Sequence, residues 1–215
     1  MTDPIEGRLE DRIEARPVLA RETVYSGLVW DVRRDRVDLG VAGEVSREYL
    51  DHPGAVGVLA LDEQDRVLLI RQYRHPVQAF LWELPAGLLD VEGEPPERAA
   101  ARELAEEADL VAGRWHTLVD WYNSPGGMNE AIRVYLARDL GEVSEADRHS
   151  RDGEELGMLT AWVDLTLARD AVLTGRIHNP TAVVGLLAAA AARDQGWATL
   201  RPAAAPWPEH PRLRG

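Results

Sequence analysis

Apolar positions change their period several times along this chain, and each change predicts an element. Over residues 24–39 and 44–50, aliphatic and aromatic residues interleave with Arg and Asp, as in half-exposed antiparallel strands, with Gly40-Val41-Ala42-Gly43 as the turn between them. Unbroken apolar runs at 55–61 and 67–70, separated by Asp62-Glu63-Gln64-Asp65, predict a hairpin of core strands. Two further strands are predicted at 115–122 and 131–137, joined by the turn-rich loop Asn123-Ser124-Pro125-Gly126-Gly127. Residues 141–157 are polar and acidic without an apolar period, which predicts a mobile loop. A last strand at 159–163, a short helix near 165–173, and an Ala- and Leu-rich helix opened by Asn179 and Pro180 and running to about Asp194 follow. Residues 1–16, polar with scattered Arg and Glu, predict a frayed lead-in, and the proline-broken end of the chain predicts a flexible tail.

The helical period is clearest in the middle. Pro95 and Pro96 stand where a first turn can absorb a missing N–H, and Ala100, Ala101, Leu104 and Ala108 recur at helical spacing, so a helix is expected from about Pro95 to about Ala108. At about 100° per residue, Glu103, Glu106 and Glu107 fall within an arc of roughly 100° opposite that stripe. Like charges at this spacing each destabilise a helix by about 0.2–0.5 kcal/mol, and Arg102 alone does not neutralise three carboxylates. One reading is a solvated acidic face. The other is a hard divalent cation, held by carboxylate and carbonyl oxygens and keeping phosphates among its other ligands.

Composition narrows the classes without choosing between those readings. The chain of 215 residues admits one main core with an accessory element, divided as 1–16 (flexible), 17–50 (a β subdomain), 51–200 (the main domain) and 201–215 (flexible). The longest apolar run, 182–192, is too short to cross a bilayer, and the charged N-terminus lacks the apolar centre of a signal peptide, so a cytoplasmic protein with no membrane partner is expected. The absence of cysteine excludes disulfides and thiolate metal sites. A net charge of -13 argues against a nucleic-acid polymer as partner, because that affinity rests on Lys and Arg against phosphates.

The residues around the helix form a longer pattern. Gly87, Glu94, Arg102-Glu103-Leu104, Glu106-Glu107 and Leu110 resemble the Nudix signature G-x5-E-x7-R-E-U-x-E-E-x-G-U, with U aliphatic, of hydrolases that cleave nucleoside diphosphates linked to another group. Two departures stand out. Six residues rather than five separate Gly87 from Glu94, which implies a one-residue bulge, and Asp109 replaces the glycine after the helix, a mild change because Asp tolerates the left-handed conformation. The resemblance implies an α/β fold, the Nudix α/β/α sandwich with a mixed sheet, here preceded by a small N-terminal antiparallel β subdomain.

Flanking motifs sharpen the resemblance. Leu81-Trp82-Glu83-Leu84-Pro85-Ala86-Gly87, Gln72-Tyr73-Arg74, and Ser124-Pro125-Gly126 with Glu130 resemble the ADP-ribose pyrophosphatase subfamily in its actinobacterial form. That resemblance implies attack of water on the pyrophosphate of ADP-ribose, giving AMP and ribose 5-phosphate, with Mg²⁺ or Mn²⁺ as cofactor. It implies that Glu103, Glu107 and the Ala86 carbonyl hold a first metal and that Glu106 shares a second. Arg102 and Glu106 count among the catalytic residues, with Glu94 paired to Arg102. The general base is expected in the loop before the last strand, at Glu155, with Glu154 as the neighbouring choice. Arg74 is expected on the phosphates, Glu83 on ribose or adenine, Met128 on the terminal ribose, and Trp30 stacked on the adenine of a partner subunit, which implies a homodimer with exchanged N-terminal elements. The plain alternatives are a strand-core Trp30, a packing Met128 and solvated loop glutamates. A broader nucleoside diphosphate sugar pyrophosphatase, for example for GDP-mannose, and a nucleotide-sensing module without catalysis remain as other functions.

Overall fold

The computed structural model of the chain describes residues 9–149 and 158–214. The interleaved N-terminal pattern folds as an antiparallel sheet of β1 (Val18–Ser26), β2 (Asp31–Asp38) and β3 (Glu44–Asp51), in that order. The one stretch expected at 24–39 is interrupted by a tight turn in which the Gly27 N–H bonds the Trp30 carbonyl at 3.1 Å. Cross-strand charge pairs take the place of an apolar face: Arg34 donates to Glu22 and Glu48, and Arg21 forks onto Asp35 at 2.8 and 2.7 Å.

The rest of the chain builds two more sheets. β4 (Ala55–Ala60), β7 (Ala86–Leu88), β8 (Leu110–Tyr122), β9 (Ala131–Glu142) and the short β11 (Arg201–Pro202) form a mixed sheet in the order β11-β8-β9-β4-β7, with β4 parallel to β9. β5 (Arg66–Arg74), β6 (Ala79–Glu83) and β10 (Leu159–Asp164) form an antiparallel sheet in the order β10-β5-β6. The hairpin expected from 55–61 and 67–70 keeps its turn, with Leu61 bridging Val67, but its two arms enter different sheets. Both arms are apolar on both faces, so each needs cover from two sides, and separate sheets supply it.

Helices close the sandwich. α1 (Pro96–Ala108) sets Ala99, Ala100 and Leu104 against Val56, Val58 and Tyr135 on one side. α2 (Leu165–Leu173) and α3 (Pro180–Asp194) set Leu165, Ala182, Leu186 and Ala189 against Leu59, Leu84, Val134 and Leu136 on the other. Burying Leu104 contributes about 1.5–3 kcal/mol, several times the repulsion among the helix's carboxylates, so the apolar stripe decides that this segment is helical. Asp164 caps α2, and the Asn179 side chain accepts the Ala182 N–H at 2.9 Å to start α3.

One expectation is corrected. β9 continues to Glu142, into the segment expected to be loop from residue 141. Over its described length the tail packs on the rest of the chain: Trp207 and His210 are buried, and the Tyr122 hydroxyl donates to the Glu209 carbonyl at 2.6 Å. No helix among the described residues is long and apolar enough to cross a membrane.

Candidate active site

Local sequence builds the loop and helix that carry the carboxylates. Pro95 and Pro96 begin α1, and Asp109 ends it in the left-handed conformation at φ 55°, the role the missing glycine would have filled. The extra loop residue is taken up in a turn that Gly93 crosses at φ 76°, closed by the Glu94 N–H on the Val91 carbonyl at 3.2 Å.

The helix face meets β7 at its start. The Ala86 N–H donates to Glu107 Oε2 at 2.9 Å, and a Cβ on Gly87 would lie 2.0 Å from Glu103 Cδ and Oε1. The carboxylates of Glu103 and Glu107 therefore sit directly on the Ala86-Gly87 backbone. Arg102 knits the rest: it donates to Glu94 at 3.2 and 3.0 Å, to Glu103 Oε1 at 2.6 Å and to Glu106 Oε2 at 3.2 Å. Burial pushes the Glu103 carboxyl above the usual range, opposed by Arg102 and reinforced by Glu106 and Asp90. One guanidinium thus serves three carboxylates, those of Glu94, Glu103 and Glu106.

The expected substrate-side residues lie on several elements. Arg74 and Glu83 form a two-point ion pair at 2.9 and 2.7 Å across β5 and β6, with Glu83 only 2% exposed, so each currently engages the other. Met128 follows the turn at Ser124 and bridges to Leu50 at the end of β3. Trp30 lies in the turn between β1 and β2, 40% exposed, and its neighbour Val29 lines a cavity of about 590 Å³ together with Pro53, residues 89–96 and the C-terminal His210, Arg212 and Leu213. Glu154 and Glu155 lie outside the described residues.

The profile described as NUDIX domain matches residues 51–181. The chain belongs to the NUDIX family. It is 42% identical over 193 residues to the ADP-ribose pyrophosphatase of Mycobacterium tuberculosis, covering 90% of this chain and 91% of that one. It is 37% identical over 127 residues to the ADP-ribose pyrophosphatase of Bacillus subtilis, covering 59% of this chain and 68% of that one. The fold matches the crystal structure of an ADP compounds hydrolase with a TM-score of 0.71 at 20% identity, over 87% of this chain and 99% of the other.

Whether the NUDIX face suits a divalent ion can be judged from its donors. Glu103, Glu106, Glu107 and the Ala86 carbonyl all offer hard oxygens, and a single guanidinium faces Glu94, Glu103 and Glu106. Among the described residues no three His, Asp or Glu side chains lie in a metal-holding geometry; Arg102 bonds Glu103 and Glu106, and the Ala86 N–H bonds Glu107. The donor set thus fits such an ion in kind.

Sequence reasoning passes over a second polar cluster, behind the loop at 124–129. Asn129 takes the His52 N–H at 2.7 Å and donates to Asp51 at 2.7 Å, and His52 Nδ1 takes the Gly54 N–H at 3.1 Å and lies 3.5 Å from Glu130. Burial lowers the His52 pKa. The signal in the sequence is the Asp51-His52-Pro53-Gly54 string between two strand patterns, polar and turn-forming but too short to carry a period.

Proposed function

We propose that this chain hydrolyses the pyrophosphate of ADP-ribose to AMP and ribose 5-phosphate, with Mg²⁺ or Mn²⁺ bound at the NUDIX helix. The observation that carries the reading is the seating of Glu103 and Glu107 on the Ala86-Gly87 backbone, in a chain with such extended identity to an ADP-ribose pyrophosphatase. Glu103, Glu107 and the Ala86 carbonyl hold the first ion and Glu106 shares a second. Bound there, a divalent ion neutralises the diphosphate and lowers the pKa of water.

The chain's own groups do the rest. Arg102 keeps the Glu94, Glu103 and Glu106 side chains aligned through its four hydrogen bonds. Glu155 accepts the proton of the attacking water, with Glu154 the alternative. Arg74 binds phosphate once it exchanges Glu83 for substrate, and Glu83 then turns to ribose or adenine. Met128 contacts the terminal ribose. Trp30 stacks on adenine across a homodimer, consistent with its exposed place at a strand turn. The protein acts in the cytoplasm, in keeping with its lack of cysteine.

Incubation with Mg²⁺ and, separately, ADP-ribose, GDP-mannose, ADP-glucose and NADH, followed by quantifying nucleoside monophosphate, tests the reading. AMP from ADP-ribose at the highest kcat/KM is expected. GMP in preference to AMP points to a broader sugar-nucleotide enzyme, and binding of ADP-ribose without AMP points to a sensor.

A further inference from the structure

The C-terminal segment, residues 201–214, runs over the mixed sheet and ends beside the loops of the proposed active site. It is fastened by a buried charge. Arg133, 1% exposed on β9, donates two bonds to Asp120 at 2.8 and 3.0 Å and the rest to the Ala205 and Pro206 carbonyls at 2.8 and 3.3 Å, with Trp207 stacked 4.5 Å away. Arg201 also reaches Asp120, at 2.9 Å. From this anchor the segment delivers His210, 2% exposed, against Gly54, where any Cβ would lie 2.2 Å from the imidazole Nε2. Arg212 then reaches Asp51 at 3.4 Å.

Residues 51–54 are the point where two loops are tied together. On one side the Leu50 N–H bonds the Gly127 carbonyl, the Asn129 N–H bonds the Leu50 carbonyl, and the Asn129 side chain joins Asp51 and His52. On the other side the Gly54 carbonyl accepts the Leu89 N–H at 3.1 Å, at the start of the loop that leads into α1. His210 and Arg212 thus press on the junction that sets the loop at 124–129 relative to the loop at 89–95. Between segment and loop lies the cavity of about 590 Å³, so the segment acts on the site through the junction and not by packing on that loop along its length.

We infer that the C-terminal segment is a brace for substrate binding, with His210 and Arg212 as positioning residues that hold residues 51–54 and through them the loop at 124–129. The inference rests on the proposed reaction only for its kinetic readout. The test uses the full chain carrying His210→Ala, Arg212→Ala or Arg212→Lys. Amide exchange is followed at Leu50, His52, Leu89 and Asn129 well below the unfolding temperature, and KM and kcat are measured for ADP-ribose with Mg²⁺.

For the two alanine variants faster exchange at those four amides is expected. KM should rise about tenfold with kcat within about threefold, as expected when binding is weakened and the chemical step is spared, and Arg212→Lys should restore both. Should His210→Ala fail to fold, the half-exposed Arg212 carries the test. Lower thermal stability with unchanged exchange and unchanged KM overturns the inference and leaves the segment as a plain stabiliser. If the unaltered protein releases no AMP, the proposed function fails, and exchange alone decides on the brace.

Discussion

Gly87→Ala separates the chemistry of the helix face from the stability of the fold. Gly87 is not among the glycines with positive φ, so alanine meets no backbone strain, and the smaller entropy of the unfolded chain favours it by about 0.4–1 kcal/mol. Against this, the new Cβ would lie 2.0 Å from Glu103 Cδ and Oε1 and 2.5 Å from its Cγ. Normal contact is about 3.5–4 Å, so the carboxylate must move by at least roughly 1.5 Å. That movement breaks the 2.6 Å bond from Arg102, which is worth about 1.5–3 kcal/mol when buried and less here, since Arg102 is partly exposed and keeps Glu94 and Glu106.

The two terms leave a net destabilisation of about 1 kcal/mol or less, a melting shift of about 2–4 °C for a chain of this size. Activity should respond far more, because a displacement on the order of 1 Å in a catalytic array lowers the rate by about a hundredfold. Initial rates of AMP release from ADP-ribose, with thermal unfolding of the same preparations, measure both. In a Glu103→Ala background the obstruction is gone, so adding Gly87→Ala should cause no further loss of stability. A Gly87→Ala protein with more than half the normal rate, or an equal stability loss in both backgrounds, would refute the argument.

Other changes act on different parts of the network. Glu107→Gln keeps an acceptor for the Ala86 N–H, so the unfolding midpoint should stay within about 2 °C while turnover falls by about two orders of magnitude or more; near-normal turnover removes Glu107 from the metal site. Arg133→Ala strips the partner from buried Asp120 and the anchor from the tail, and should lower denaturant-derived stability by about 3–5 kcal/mol; less than about 1 kcal/mol means the pair is dispensable. Burial brings His210 down to about 4 from its ordinary 6.5, so between those values the unfolded chain binds more protons. Stability should therefore be full above about pH 6.5 and fall as pH drops toward 4, by up to about 3 kcal/mol, and His210→Gln should flatten that slope in pH-dependent urea unfolding.

What the sequence reveals follows from how far apart the cooperating residues stand. The α1 face is legible because stripe, cap residues and carboxylates all lie within one helix, where a period of 3.6 sets them side by side. The arms at 55–61 and 67–70 are legible as core strands but not in their pairing, since β4 finds β9 more than seventy residues away, and nothing local announces it. The packing of the tail is illegible for the opposite reason: its prolines rule out a period, so where it lies depends on a partner elsewhere. That partner does leave a mark. Arg133 interrupts Ala131-Ile132-Val134-Tyr135-Leu136 in a run that must be buried, and a buried guanidinium requires acceptors for all its N–H groups. Asp120, opposite it on β8, satisfies only part of that demand. The remaining donors require carbonyls free of any helix or strand ladder, and a proline-rich segment with a tryptophan to cover the cation is the kind of chain that can offer them. An arginine inside a core strand therefore predicts order in an otherwise featureless tail.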